Sequence, residues 1–374
     1  MDASANQIAS IVIGGGFALA FLFGAVANKT NFCTMGALSD IVNMGHWGRM
    51  RMWLLAIAVA ILGATALAYT GQVDLSKAIQ QRPSLSWLSL LVGGLAFGAG
   101  MTLSGGCANK NLIRVGGGSL RSVVVLVFMG IASYMTLKGL FGQWRASWLD
   151  PVAVNLAGLG WKDQSLATAV AQLTGLPVAQ ALLATAAVVV LALLVFVFKD
   201  QRFRANPTQI FGAVVIGALV VGGWYVSGHL GFGENPETLE QGYFATNSRT
   251  LESMSFVGPV AYGLELLMLW TDKSLHITFG IASVLGVVLG SAAYAMSTRS
   301  FRWEGFASLT DLRNQLVGAV LMGFGGVTAL GCTIGQGLSG VSTLAIGSFI
   351  ALAGIIAGSV ATLKYLLWRE ERSA

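Results

Sequence analysis

The sequence predicts an all-α polytopic membrane protein, and three observations predict it. Of its 374 residues 55% are hydrophobic and only 10% are charged, with a mean hydropathy of +0.72, which leaves too few charges to cover a water-exposed surface. The apolar residues fall in continuous windows of about 20, the length at which a helix crosses the hydrocarbon core, without the alternation a β-barrel requires. The 49 glycines suit helices that approach closely or break, and Gly94 with Gly98, Gly286 with Gly290, and Gly354 with Gly358 each form a GxxxG pair.

Reading the windows in order predicts nine spans near residues 8–27, 52–71, 87–104, 119–141, 178–198, 209–228, 275–297, 315–331 and 341–368. A further apolar stretch, 254–270, is short and contains Gly258, Pro259 and Glu265, so it reads as a periplasmic or partly inserted helix. Orientation follows from lysine and arginine, which resist translocation. Alternate connections, including Arg49, Arg51, Lys110, Arg114, Arg121, Lys199, Arg202, Arg204, Arg299, Arg302 and Arg313, together with the C-terminal tail, hold 14 basic residues against seven in the opposite set. The expected topology has a periplasmic N-terminus, a cytoplasmic C-terminus and two long outer connections, 142–177 and 229–274. The second is acidic, with Glu234, Glu237, Glu240, Glu252, Glu265 and Asp272. The net charge of +6 is therefore assigned to membrane orientation, and nucleic acid is not an expected partner.

An internal repeat organises the chain. LVGGLAFGAGMTLSGGC (91–107) and LVGAVLMGFGGVTALGC (316–332) agree without gaps at seven of 17 positions, ending on Cys107 and Cys332. A fainter copy precedes Cys33: Gly24 lies nine residues before it, as Gly98 and Gly323 do before the other two. With nine spans, two sets of four related by inversion are expected, approximately 8–141 and 209–368, joined by the connector span 178–198. The position corresponding to Cys33, after the sixth span near His229, carries no cysteine.

The three cysteines are the candidate functional residues. Each lies in a polar or glycine-rich interruption at the end of an apolar segment: Asn31 and Thr34 flank Cys33, Asn109, Lys110 and Asn111 follow Cys107, and Thr333 and Gln336 follow Cys332. Non-helical backbone at membrane depth must be buried in protein or line a wet cavity. Broken helices there aim free N–H groups and a partial positive charge inward, which suits an anion. A single free cysteine is commonly a small buried hydrophobe, but three in matched contexts point to function. The candidate path residues are Cys33, Cys107, Cys332, Asn31, Asn109, Lys110, Thr333 and Gln336.

The motifs NFCTMGALSDI, SGGCANKNLIRVGGGSL and LGCTIGQGLSG resemble the three cysteine motifs of the YeeE/YedE family, the sulfur-transport family of bacterial inner-membrane proteins, over essentially the whole chain. The resemblance implies an hourglass-shaped bundle of inverted halves that takes up thiosulfate, with the anion passed between S–H donors. Those donors would be Cys33, Cys107 and Cys332, and a small TusA-like sulfur carrier would receive the sulfur in the cytoplasm. The chain departs from the pattern at Asn28–Asn31, where an arginine is common, and in CANKNLIRVGGG after the second cysteine. Another sulfur or selenium compound thus stays open as substrate, as does a membrane thiol enzyme, a sulfurtransferase or oxidoreductase.

Other chemistries lack their residues. His46, His229 and His276 are far apart without zinc spacing, and Gly116–Gly118 precede Ser119 and Leu120, so no phosphate-binding lysine follows. No cofactor or metal is expected.

Overall fold

The computed structural model describes residues 5–234, 241–306 and 308–373; Glu237 and Glu240 of the acidic connection lie outside them. The chain is helical throughout: α1 (Ala5–Thr30), α2 (Thr34–Met44), α3 (Gly48–Tyr69), α4 (Trp87–Leu103), α5 (Ala108–Gly116), α6 (Leu120–Lys138), α7 (Leu140–Trp144), α8 (Leu166–Thr174), α9 (Val178–Phe198), α10 (Gln201–Arg204), α11 (Pro207–Tyr225), α12 (Val257–Met268), α13 (Phe279–Ser297), α14 (Leu309–Thr328) and α15 (Ile346–Ser373). Two short antiparallel strand pairs, Ser84–Leu85 with Val154–Asn155 and Phe232–Glu234 with Gln241–Tyr243, lie in the connections.

Eight segments among the described residues are long and apolar enough to cross a membrane, and in two of them a long helix is fused with the short helix that follows. The predicted span 315–331 corresponds to α14, which has 20 residues. It is less apolar because it opens with Asp311 and Arg313, and it packs between α4 and α6. The stretch 254–270 forms α12, whose 12 residues rise only about 18 Å, short of the roughly 30 Å hydrocarbon core. As expected, it is a short apolar helix.

Glycine sets how the long helices pair. Gly16 faces Phe279 and Asn28 bonds Ser291, so α1 and α13 run parallel. Gly94 meets Gly354 and Thr102 meets Ser359, so α4 and α15 run parallel as well. A third parallel pair is α3 with α11, through Gly217 against Val59 and Gly63 against Val221. Two pairs run antiparallel: α4 with α14, through Gly93 and Ala329 at one end and Gly100 and Gly318 at the other, and α1 with α11, through Thr30 with Gly212 and Leu19 with Gly222. These directions agree with nine alternating crossings. Backbones this close exclude lipid and gain dispersion contact, the force available where no hydrophobic effect acts between helices.

The short helices fill the interior. α2 lies against α3 and α15, α12 against α6 and α13, and α5 against α13 and α6, while a π-helical turn, Gly335–Gly340, lies against α15 and α3. Beyond α11 the chain passes through a second π-helical turn, Val226–Leu230, and the next inner helix begins only at Val257. Phe256 precedes it as Cys33 precedes α2, and its ring packs 5.7 Å from that of Phe23.

Candidate functional site: three cysteine breaks that meet

One turn is built three times. Asn31, Gly105 and Leu330, each two residues before a cysteine, have left-handed φ of 52°, 65° and 56°. The next N–H then reaches back five residues: Phe32 to the Ala27 carbonyl (3.1 Å), Gly106 to Met101 (2.9 Å) and Gly331 to Gly326 (2.7 Å). This closes the C-terminus of each incoming helix with a Schellman-type turn. Each cysteine carbonyl then accepts the N–H four residues on, from Ala37 (3.0 Å), Asn111 (3.0 Å) and Gln336 (2.8 Å), which starts the outgoing helix or turn. Glycine pairs explain the second turn, since Gly105 adopts the left-handed conformation without a Cβ clash. Asn31 is a tolerated alternative there, whereas Leu330 is held against its preference.

The thiols sit at the starts of the outgoing segments. Cys33 Sγ accepts from the Gly36 N–H and Cys332 Sγ from the Gly335 N–H, both at 3.4 Å. The corresponding amide in the second break, that of Lys110, faces Cys107 Sγ. Free N–H groups and the helix dipoles of α2 and α5 therefore point at the same interior zone.

The three breaks converge. The side chains of Cys33 and Cys107 are neighbours, and Thr333, next to Cys332, lies near Cys107 without a hydrogen bond to it. Lys110 Nζ donates to Asn31 Oδ1 at 2.9 Å, tying the first break to the second. All three cysteines are free thiols and buried, with exposures of 6%, 1% and 0% for Cys33, Cys107 and Cys332.

Around them, buried polar atoms lack partners: Thr34 Oγ1, both amide atoms of Asn109, and Thr333 Oγ1. Leaving one such group unmade costs about 1–3 kcal/mol, so the cluster is provided with donors and acceptors for water or a polar guest. The path candidate Gln336 and its counterpart in the second break, Asn111, are engaged internally. Gln336 donates to the Ala329 carbonyl (2.7 Å) and accepts from Ser348 (2.6 Å), while Asn111 donates to the Gly106 and Cys107 carbonyls (3.0 and 3.2 Å). Their amides brace the breaks.

On one side of the cluster lies a cavity of ≈ 150 Å³, lined among others by Gln80, Arg145, Ser248, Glu252, Ser255 and Gly331, the residue before Cys332. Gln80 was not anticipated from sequence: it crosses from the connection after α3, donates to the Gly335 carbonyl at 3.4 Å and leaves its own Oε1 unpartnered. Glu252, in the same wall, accepts from the Ser248 N–H at 2.8 Å, and burial raises its carboxyl above the ordinary range. The other side carries Lys110, Arg114 and Arg49. Arg114 donates to the Gly105 carbonyl at 2.9 Å, and Arg49 grips the Asp40 carboxylate with two N–H groups.

A bundle of crossing helices, interrupted at its centre by polar turns that face one another and not the lipid, is the architecture of a multi-pass membrane protein with an internal polar route. The chain belongs to the sulphur transport family, whose model matches residues 29–361. Among curated proteins it is similar to the thiosulfate transporter TsuA of Escherichia coli (strain K12), 28% identical over 94% of each chain. It is also similar to the thiosulfate transporter TsuA of Spirochaeta thermophila, 26% identical over 96% of this chain and 100% of the relative.

Proposed function

We propose that this protein carries thiosulfate, or a closely related sulfur-containing anion, into the cell across the bacterial inner membrane, and that its cysteine thiols relay the anion. The observation that carries the reading is the meeting of three cysteine turns, surrounded by unpartnered polar atoms, between a polar cavity and a cationic mouth. The order along the route is then Cys332 beneath the cavity, Cys107 with Thr333 and Asn109, and Cys33 with Asn31 and Lys110. Gln336 holds the first station in shape. The names of the two relatives support the choice of anion.

The chemistry suits the task. Removing an anion from water costs several kcal/mol even after relaxation, and thiols, hydroxyls, amides and backbone N–H groups spread along the route offset that cost piecemeal. A thiol is a weak donor and a polarisable partner for a terminal sulfur, so no station holds the ion too tightly to pass it on. Residues 8–141 and 209–368 are read as inverted halves, with 178–198 between them. The equivalence of the pairs α1/α13 with α11/α3, and α4/α15 with α14/α6, supports this. The basic connections then face the cytoplasm, where a small TusA-like sulfur carrier would collect the product; co-purification of such a carrier with the membrane protein tests that step.

Uptake of labelled thiosulfate by the purified protein in lipid vesicles tests the whole reading. Alanine at Cys33, Cys107 or Cys332 is expected to lower uptake at least tenfold with the protein still folded; three fully active variants would refute the relay. The proximity of the Cys33 and Cys107 side chains favours one second reading, a membrane thiol enzyme. That alternative requires a persulfide or disulfide during turnover, visible by mass spectrometry, and transport alone leaves the thiols free.

A further inference from the structure

Among the described residues, Lys110 and Arg114 form no ion pair with a carboxylate. Both are partly buried on α5, and the bonds they make are to neutral acceptors, Asn31 Oδ1 and the Gly105 carbonyl, each at 2.9 Å. The other charges near them are already matched: Arg49 is held by Asp40, and Arg121 faces Glu304 at 4.0 Å. Glu304 also acts on Arg114, but forms no ion pair with it among the described residues. Lys110 therefore stands in the repulsive field of Arg114 and Arg49, and Arg114 in that of Arg121.

The position of Lys110 makes matters worse for an empty site. It is the third residue of α5, in the first turn of a helix, where the dipole favours anions and opposes a cation. Asn109, one residue earlier and 1% exposed, leaves both amide atoms unpartnered, and Thr34, opening α2 beside Cys33, leaves its hydroxyl unpartnered at 1% exposure. Desolvation, like charge, helix dipole and unmade hydrogen bonds all disfavour this arrangement on its own. A doubly charged oxyanion seated there offsets all of them together.

We propose that Lys110, Arg114, Asn109 and Thr34 form a binding site for a sulfur oxyanion dianion at the mouth opposite the cavity, with the anion's oxygens on these donors and its terminal sulfur toward Cys33. The site selects two negative charges over one. It rests on the reading of an anion path, and it adds to the weak thiol stations a stronger terminal one. The shared chemistry, two negative charges on tetrahedral oxygens, also fits a lipid phosphate, so the test must separate the two sources.

The experiment uses the full chain in nanodiscs and measures equilibrium binding of labelled thiosulfate, sulfate and thiocyanate, with thermal stability read in parallel. Lys110→Gln keeps a donor for Asn31 and removes only the charge; Lys110→Arg restores the charge. Wild type is expected to bind both dianions at least tenfold more tightly than thiocyanate. Lys110→Gln is expected to weaken dianion binding at least tenfold, and Lys110→Arg to return it to within about threefold. Thiosulfate should raise the melting temperature of wild type and leave that of Lys110→Gln unchanged. Equal thiosulfate affinity in wild type and Lys110→Gln overturns the site, as does a wild type that binds neither dianion. Binding abolished by phosphatidic acid, a lipid phosphomonoester able to carry two charges, in wild type alone overturns it too, because a lipid phosphate is then the occupant. Vesicle uptake of thiosulfate is measured separately: binding that depends on Lys110 without any flux keeps the site and removes the transport reading, while flux without such binding does the reverse.

Discussion

At the scale of single residues, the cavity wall contains an acid whose titration reports on the vestibule. Glu252 is desolvated in the folded protein and its carboxyl is raised above the ordinary value of 4.5, while the Ser248 amide and hydroxyl pull the other way. An acid with a raised folded pKa binds more protons when folded than when unfolded, so its contribution to stability declines as pH rises through the interval above 4.5. Glu252→Gln should therefore be more stable than wild type above that interval and lose the advantage below it; melting curves across pH measure the difference, and a gap that is constant with pH contradicts the assignment. The residues that define the site differ in how far the sequence disclosed them. Cysteines are rare in the chain and stand in polar breaks, which exposes them and Asn109 to inspection. Gln80 bonds Gly335 in the third break and Gln81 bonds Thr343 just beyond it, from 255 and 262 residues away in sequence, a relation that no local pattern carries.

At the scale of elements, the long helices were legible because hydropathy is a local property, and the GxxxG pairs already marked the faces that touch. The helix α2 was not, because Asp40 and Asn43 dilute its apolar character and it follows α1 after only three residues, 31–33, so the two merge into one apolar segment. The π-helical turns likewise have no periodic signature. The glycine contacts give the clearest element-level prediction. A Cβ on Gly98 would meet the Ile355 carbonyl oxygen and lie 2.8 Å from the Ser359 nitrogen, both backbone atoms of α15 that cannot swing aside. Gly98→Val should cost about 3 kcal/mol or prevent assembly. Gly14→Ala, on α1 with nothing within 4 Å, should gain about 0.5–1 kcal/mol through the unfolded chain. Thermal unfolding in detergent distinguishes the two, and equal melting temperatures would discount the packing argument.

At the scale of the whole molecule, the basic connections and the alternating helices give one topology. Alkaline phosphatase fused after residue 160 should be active in the periplasm, and a fluorescent protein fused at the C-terminus should fold in the cytoplasm; the opposite pattern inverts the direction of transport proposed above. The seams α1/α13 and α4/α15 bear on how such transport proceeds. At Gly24, Gly290, Gly98 and Gly358 in these seams a backbone carbonyl oxygen of the facing helix abuts the glycine, leaving little cushion there through which one helix could creep past another. A rocker that swings half its mass about a pivot needs a slippery joint, and these joints are keyed. On the proposed function, the outer frame would act as a stator, and the displacements that admit and discharge an ion would fall to the short interior pieces, whose ends hang on single turns.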